Sequence, residues 1–301
     1  ETILTHVGLI ANPGSIEKGS TASDFTPEEK SHKHSISNAY FSFNRGEYQI
    51  NLIDTPGFAD FRGEVAGALR MVESAVLLID GTAGIQVNTN YVWSMAEKNK
   101  LPRFVFVNKM ALQGAYFFKV LDEIQHTFRG KFGPITAPDG SGENYKGVFD
   151  LLQEVAYQLE GNQEKKVTDV DLSEFEDYKH DLLESLVELD EALMEKYFGD
   201  EEITVEELIE ALMTGVASGE IIPVFAGSAL KNSGVNLLLD YLVKLIPAPD
   251  HAGVVTGTWD GETVEVEIKE GDTAVALVGK TMVDPYVGKL SIFKVLTGTL
   301  S

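Results

Sequence analysis

The residues best suited to chemistry follow an apolar run, Tyr48 to Ile53, which stops at Asp54 and continues as Thr55-Pro56-Gly57. This pattern predicts a buried strand that delivers a carboxylate to the end of a sheet, where open α/β sheets bind their ligands. Asp54 could hold a magnesium ion through water, and the amide of Gly57 could approach a terminal phosphate closely because glycine lacks a side chain. A plain turn between a strand and a loop is the alternative, because short motifs also arise by chance.

Further buried strands end in polar residues that suit a purine. The strand Ser74 to Asp80 is followed by Arg103 to Val107, which ends in Asn108-Lys109-Met110. The amide of Asn108 can bond to base edges, and the aliphatic stem of Lys109 can lie along a ring. A later strand, Ile221 to Ala226, ends in Gly227-Ser228-Ala229-Leu230-Lys231.

In this order and at these strand ends, Asp-Thr-Pro-Gly, Asn-Lys-Met and Gly-Ser-Ala-Leu-Lys resemble guanine-nucleotide motifs of translational GTPases, above all bacterial elongation factor G and its paralogues. The similarity runs over nearly the whole chain, including the segments Gly219 to Pro223, Leu245 to Pro249 and Asp284 to Leu290. The resemblance implies GTP/GDP and Mg²⁺ as cofactors, with hydrolysis on the ribosome driving translocation or recycling. The residues implied around the nucleotide are Asp54, Thr55, Pro56, Gly57, Phe58, Asn108, Lys109, Met110, Ala111, Ser228, Ala229 and Leu230, with Ser35 and Asp54 at the metal.

The alternation of strands and helices predicts an α/β fold with a doubly wound, mainly parallel sheet, which the resemblance makes one of the P-loop GTPase type. Far more residues separate Asn108 from Ser228 than the roughly 30 of one βαβ unit, so we expect an inserted subdomain. The expected division is the first part of the G domain at residues 1–110, an acidic and helical α+β insertion at 111–220, the last strand and helix of the G domain at 221–249, and the start of a β-barrel domain at 250–301.

Local patterns set the remaining expectations. They predict an opening helix that runs to Ile10, an irregular loop from Ser20 to Asn38, a helix at 61–72 and one apolar helical seam from Leu182 to Tyr197. They also predict that Ala39 to Asn44 and Tyr48 to Ile53 form a strand pair around a turn at Arg45-Gly46. Gly199 should end that last helix, and Thr204 with Glu207 forms a capping box for the next. Asp139-Gly-Ser-Gly-Glu143 is interpreted as a turn, because no helix starts closely behind it.

The resemblance makes the loop the first switch region and the helix at 61–72 the second switch helix, although an ordinary packing helix fits the spacing equally well. Counting back from Asp54, Ser35 falls where the family has a magnesium-binding threonine. The residues His32-Lys33-His34 stand where the family usually has Arg-Gly-Ile. We interpret the two histidines as solvated loop residues, because two imidazoles are too few ligands for a structural zinc site.

Composition narrows the classes of partner. With 301 residues and a formal charge of -23, the chain lacks the clustered Lys and Arg that grip nucleic-acid phosphates broadly. The chain could still bind an RNA-rich assembly through the basic proteins of that assembly. The acidic insertion is either a solvated face or, by resemblance, the part that meets the ribosomal stalk protein, and rRNA contact is expected mainly through domains outside this chain.

The chain has no cysteine, no apolar run long enough to span a bilayer and no leader segment, so we expect a cytoplasmic, monomeric protein without membrane contact. The family's phosphate loop, Gly-x-x-x-x-Gly-Lys-Ser/Thr, has no counterpart here. We expect a fragment that is cut before Glu1 and again after Ser301.

Two positions depart from the family pattern. Phe58 stands where elongation factor G has a histidine that assists hydrolysis, and Ala111 stands where an aspartate accepts hydrogen bonds from guanine. Two functions follow: a slow or atypical GTPase of the elongation factor G group, or a noncatalytic ribosome-binding paralogue that keeps the fold as a scaffold. A metabolic P-loop kinase is a third class, which the insertion and the strands after Pro249 oppose.

Overall fold

The computed structural model describes residues 1–161, 163–269, 273–284 and 287–300. Pro285 and Tyr286, in the family-like segment Asp284 to Leu290, lie outside these residues. The helices are α1 (Thr2–His6), α2 (Pro27–His32), α3 (Arg62–Leu69), α4 (Val87–Lys98), α5 (Phe117–Thr127), α6 (Glu176–Val187), α7 (Glu191–Phe198), α8 (Val205–Ser218) and α9 (Val235–Leu245). The strands are β1 (Ala39–Arg45), β2 (Tyr48–Asp54), β3 (Ala75–Asp80), β4 (Arg103–Asn108), β5 (Lys131–Pro134), β6 (Thr136–Asp139), β7 (Gly147–Asp150), β8 (Val155–Glu160), β9 (Gln163–Val167), β10 (Ile221–Ala226), β11 (Val254–Trp259), β12 (Glu262–Glu267), β13 (Val275–Asp284) and β14 (Gly288–Thr297).

A parallel sheet of order β3-β4-β10-β5 forms the centre of the molecule. Val105 of β4 lies opposite Leu77 on one side and Val224 on the other. Both central strands are buried almost throughout, because helices cover the two faces, and this explains why their sequences are continuous apolar runs. The predicted α/β fold with a parallel sheet is confirmed.

The strand that carries Asp54 does not lie in this sheet. β2 pairs antiparallel with β1, and the two form a separate hairpin in which Ala39 is opposite Asp54. Most of β2 is exposed or half-buried, so the prediction of a buried strand was wrong. Gln49 and Asn51 alternate with Ile50 and Leu52, and this period of two is typical of an antiparallel strand with one wet face.

The region between β4 and β10 has two parts. Residues 111–134, placed in the insertion by the sequence, contain α5 and β5, and β5 is the edge strand of the parallel sheet. Residues 136–167 then form a four-stranded antiparallel sheet of order β6-β7-β8-β9. Helix α6 packs on β5 and helix α8 packs on β10, so the acidic helices lie against the main sheet.

Four helix predictions need correction, and each has a local cause. Helix α3 ends at Leu69 instead of residue 72, because the next two amides bond to carbonyls three residues back. Helix α1 ends at His6, because the amides of Leu9 and Ile10 both turn back to the carbonyl of Leu4. The expected loop contains helix α2, which Thr26 and Glu29 start as a capping box with Pro27 in the first turn.

The apolar seam from Leu182 to Tyr197 is broken into α6 and α7. Asp190 starts the second helix by accepting hydrogen bonds from the amides of Ala192 and Leu193. Two neighbouring predictions are confirmed: helix α7 ends at Gly199, and Thr204 with Glu207 forms the capping box of α8.

Antiparallel hairpins follow Pro249, as expected for the opening of a β-barrel domain. β11 pairs with β12, and β13 pairs with β14. The second hairpin touches helix α3 and the residues that follow it through the ion pairs Lys280–Glu64 and Lys294–Glu73. Among the residues described here, no helix has both the length and the apolar character needed to cross a membrane.

Candidate functional site

Asn108, at the end of β4, joins two of the predicted motifs. Its side-chain oxygen accepts hydrogen bonds from the amide of Lys109 at 2.7 Å and from the amide of Ala229 at 2.9 Å. The loop after β4 is thereby fixed to the loop after β10. With the oxygen engaged, the group that Asn108 can offer to a base edge is its NH₂, which is a donor.

Lys109 is held by a carboxylate that the sequence did not single out. The Lys109 Nζ lies 2.7 Å from Asp80 Oδ2 at the end of β3, and Thr82 donates its hydroxyl and amide to Asp80 Oδ1. Desolvation raises the pKa of Asp80, but the hydrogen bonds from Lys109 and Thr82 outweigh it and lower the pKa to about 2. The ammonium is therefore fixed between the two strand ends.

The loop after β10 is compact. Ser228 is buried, and its amide and carbonyl both pair with Ser233. A Cβ at Gly227 would lie 2.5 Å from the Phe106 ring and 2.6 Å from the Ser233 carbonyl, so this turn requires glycine. Ala229 presents backbone to the site, whereas the Leu230 side chain is exposed.

Met110 and Ala111, two of the predicted site residues, pack with their side chains against the main core. Met110 is fully buried in the main core, so its contribution to a ligand site is limited to its backbone, which bonds to Gly227. Ala111 is half-buried and packs against the same core. Neither side chain carries a group that could read a base.

The two predicted metal ligands share a neighbour, Asp24. Ser35 donates its hydroxyl to Asp24 Oδ1 at 2.7 Å, and Thr21 donates to Asp24 Oδ2 at 2.9 Å. Desolvation raises the pKa of Asp54, and the Asp24 carboxylate adds to that rise. Part of the Asp54 side chain remains exposed to solvent.

Residues at the start of α1 contact both the acidic residues around Asp54 and the loop after β10. Glu1 accepts the amides of Gly14 and Ala22, both at 2.7 Å, and its charge also acts on Asp54. The next residue, Thr2, donates its hydroxyl to the carbonyl of Ala229 at 3.1 Å. Contacts through Glu1 and Thr2 thus connect the Asp54 region with the loop after β10.

The turn after Asp54 is held on one side by helix α4. Pro56 is buried, Thr55 is half-buried and Gly57 is exposed. Asn88 donates to the Gly57 carbonyl at 2.8 Å and accepts from Arg62 Nε at 2.9 Å. Phe58 is 56% exposed, and its ring lies 4.5 Å from that of His34, measured between ring centroids.

The oxygen atoms near Asp54 fit magnesium chemistry. Mg²⁺ binds hard oxygen ligands, keeps several waters and takes only one or two protein carboxylates alongside phosphate. Asp54, the Ser35 hydroxyl and the Asp24 carboxylate supply such a set. In the part of the chain that the structure describes, no group of three or more His, Cys, Asp or Glu residues could hold a metal by itself.

Sequence reasoning overlooked three residues of this site: Asp80, Asp24 and Thr2. Asp80 carried a usable signal, because it ends an apolar run just as Asn108 does. The prediction that this run is a buried strand was wrong, since β3 is buried on one face only and Leu78 is 66% exposed. Asp24 lies in a loop and Thr2 at a helix start. Their contacts produce no periodic pattern that could be recognised in the sequence.

The comparisons with known proteins agree with this geometry. The family model of the elongation factor Tu GTP binding domain matches residues 1–248. The crystal structure of a protein from Thermus thermophilus is similar over 99% of this chain, with a TM-score of 0.86 and 30% sequence identity, and the match covers 43% of that protein's chain. The chain thus spans less than half the length of this structural relative. Neither comparison favours a noncatalytic scaffold.

Proposed function

The chain belongs to the family of the elongation factor Tu GTP binding domain, and from this premise we propose that it binds and hydrolyses GTP as a translation factor of the elongation factor G type. Its place of action in this proposal is the cytoplasmic ribosome, where hydrolysis drives translocation or recycling. The observation that carries the proposal is the pair of hydrogen bonds accepted by Asn108, which ties the Lys109 loop to the Ala229 loop. Such a clamp holds two loops at neighbouring strand ends, where a base could lie between them.

Each residue has a proposed role. Asn108 donates its NH₂ to the guanine edge, the Lys109 stem covers one face of the ring, and the backbone of Ser228, Ala229 and Leu230 lines the other side. Met110 and Ala111 complete this loop through their backbone. At the opposite end, Asp54 and Ser35 would hold Mg²⁺, and the Gly57 amide would face the terminal phosphate with Thr55, Pro56 and Phe58 shaping the turn.

The chemistry follows from these positions. Phosphoryl transfer to water depends on positioning and on charge stabilisation rather than on covalent steps by the protein. Bound Mg²⁺ would supply positive charge to the phosphate oxygens. The chain itself holds the base and orients the Asp54 turn, and the attacking water would be bound beside that turn.

Binding of a fluorescent GTP analogue to the purified protein tests the base site. Replacing Asn108 by Ala removes the acceptor of two amides, and we expect affinity to fall at least about tenfold, the effect of about 1.4 kcal/mol. Asn99→Ala is the matched control, because Asn99 is exposed and bonds to Met95 of its own helix. Equal affinity in both variants would remove the base site from this place.

Turnover measured with and without ribosomes tests the proposed activity. We expect GTP hydrolysis to rise when ribosomes are added. A protein that binds GTP and ribosomes but never hydrolyses the nucleotide would support the scaffold function in its place.

We also propose that the acidic helices α6, α7 and α8 meet a basic or stalk protein of the ribosome. The outer faces of these helices carry many carboxylates. A few of these carboxylates are paired with lysines, as in Lys179–Glu176 within α6 and Lys196–Glu207 between α7 and α8. Attraction of this kind steers association and weakens as salt rises. Ribosome binding whose affinity is the same at about 50 and about 500 mM salt, concentrations that span the screening range, would contradict this contact.

A further inference from the structure

The turn after Asp54 faces an imidazole that comes from a different part of the chain. The His34 ring lies 4.5 Å from the Phe58 ring and 5.9 Å from the Phe61 ring, measured between centroids. His32 stacks at 5.8 Å on the outer side of His34. His34 is half-buried, whereas His32 is exposed at the end of α2. The interpretation of both histidines as solvated loop residues was therefore wrong for His34, and His32 is helical. The aromatic rings thus hold one imidazole beside the Gly57-Phe58 turn.

The hydrogen bonding of His34 favours one form of its ring. Nδ1 lies 3.3 Å from the carbonyl oxygen of Ser35. A carbonyl oxygen is only an acceptor, so a neutral ring that bonds to it carries its proton on Nδ1 and leaves a lone pair on Nε2. Such a ring can accept a hydrogen bond from a water molecule. Phe58 has no atom that can do so.

His34 also lies next to the proposed magnesium group. The adjacent residue, Ser35, bonds to Asp24, whose carboxylate acts on Asp54. The imidazole therefore contacts the Phe58 turn through its ring and neighbours the acidic group through Ser35. Phe58 and Phe61 limit the directions in which the ring can turn.

We propose that His34 positions the attacking water in GTP hydrolysis and that the Phe58 ring holds the imidazole in place. This inference rests on the proposed GTPase function. The water oxygen forms a bond to the γ-phosphorus, and the bond from that phosphorus to the β–γ bridging oxygen breaks, leaving its electron pair on GDP. The released phosphate keeps one water proton on its new hydroxyl and takes the other on a γ-oxygen, so it leaves as H₂PO₄⁻. His34 accepts a hydrogen bond during this step and undergoes no net change.

Single-turnover hydrolysis on ribosomes, together with binding of a non-hydrolysable GTP analogue, separates the contribution of His34 from folding and binding. His34→Ala should lower the rate by about 10² to 10⁴ while analogue affinity stays within about threefold. His34→Gln retains an amide acceptor and should recover part of the rate. His32→Ala is the control on the outer ring and should turn over like the unmodified protein.

A second test moves the imidazole across the contact. The double variant His34→Ile with Phe58→His places the ring on the other partner of the same pair, and turnover should recover at least about tenfold over His34→Ala, or about 1.4 kcal/mol of barrier. Unchanged turnover in His34→Ala would overturn the proposal, as would a rate loss that only mirrors lost analogue binding. If the unmodified protein neither binds nor hydrolyses GTP, the proposed function is wrong and the role of His34 is wrong with it.

A readout without turnover completes the experiment. In histidine-labelled protein, the NMR signal of the His34 Cε1–H should move when the GTP analogue and Mg²⁺ are added, and it should move much less with GDP and Mg²⁺. The His32 signal should respond to neither. Equal shifts of His34 with both nucleotides would place the ring away from the γ-phosphate and overturn the proposal.

Discussion

The hydroxyl of Tyr241 in α9 lies 2.9 Å from both carboxylate oxygens of Asp150 in β7. Both side chains are buried, and the amides of Leu152 and Gln153 bond to the same carboxylate. This contact ties the antiparallel sheet β6-β7-β8-β9 to α9. Because a buried carboxylate needs its donors, the pair fixes how the two parts pack.

Tyr241→Phe should destabilise the protein by about 1 to 3 kcal/mol, because it removes a donor from a buried carboxylate. Urea unfolding gives the free energy, and Tyr116→Phe is the control because Tyr116 is 61% exposed. Burial raises the pKa of Asp150 above its ordinary 3.8. A raised pKa makes this group's contribution greatest below 3.8 and reduces it as pH rises through the folded value, where the carboxylate becomes charged.

The Phe variant should therefore cost more near neutral pH than near about pH 4, because only the ionised carboxylate depends on the missing donor. A cost that is the same at both pH values would mean that Asp150 does not change its charge in this range. A cost no larger than that of Tyr116→Phe would show that the contact does not stabilise the fold.

The pair Lys109–Asp80 predicts the opposite pH dependence. The pKa of Asp80 falls from 3.8 to about 2 in the folded state, so its contribution is present above about 3.8 and is lost as pH falls toward 2. The Asp80 side chain is 23% exposed and Lys109 is 51% exposed, so screening limits the gain to about 1 kcal/mol. Asp80→Asn should lower stability by about this amount at about pH 6, and the difference from the unmodified protein should shrink below about pH 4.

The same variant should also loosen Lys109 over the base site. We expect Asp80→Asn to weaken GTP-analogue binding by about threefold to tenfold, since an unpaired lysine loses its fixed position. Asp122→Asn is a suitable control, because Asp122 is exposed and pairs with His126 of its own helix. Stronger binding by Asp80→Asn would mean that the ion pair holds Lys109 away from the nucleotide.

The sequence predicts the main sheet and the base-side loops because both rest on short-range signals. β4 and β10 are unbroken apolar runs, and Asn108 and Ser228 come at or just after their ends. The pairing of β2 with β1 is also predicted, because a turn at Arg45-Gly46 separates two strand-like runs. The exposure of β2 was missed, since its apolar residues suit either a buried strand or a half-exposed hairpin.

The ring contact of His34 with Phe58 could not be predicted from the sequence either, because two loops must first fold to bring these residues together. By contrast, helix α2 could have been predicted. Thr26-Pro27-Glu28-Glu29 carries both the capping box and the proline of a helix start.

Glu64 of α3 contacts both the residue that precedes β1 and the hairpin of β13 and β14. Its carboxylate accepts the amide of Asn38 at 3.0 Å and pairs with Lys280 on β13. Lys280→Ala should increase hydrogen exchange in β13 and leave Asn38 protected, because only the β13 contact is lost. Glu64→Ala should increase exchange at both places.

Lys269→Ala is the control for this comparison, since Lys269 pairs with the exposed Glu267 near it in the chain. If Lys280→Ala raises exchange at Asn38 as strongly as Glu64→Ala does, the two contacts form one cooperative unit. Equal exchange in β13 for Lys280→Ala and Lys269→Ala would show that the ion pair does not hold the hairpin to α3.

Restoring a carboxylate at Ala111 should sharpen the choice of base. Ala111 is half-buried at the end of the Asn108 loop and offers no acceptor for the imino and amino groups of guanine. We expect Ala111→Asp to raise GTP affinity by about tenfold to a hundredfold, the range of a hydrogen bond to a charged group, and to leave ATP unaffected. ITP, which lacks the 2-amino group, should gain less than GTP.

Ala111→Asn is the control of equal size, and it should gain less because it carries no charge. If competition binding shows the same GTP-to-ATP ratio in Ala111→Asp and the unmodified protein, the base is read elsewhere and the assignment of this loop is wrong.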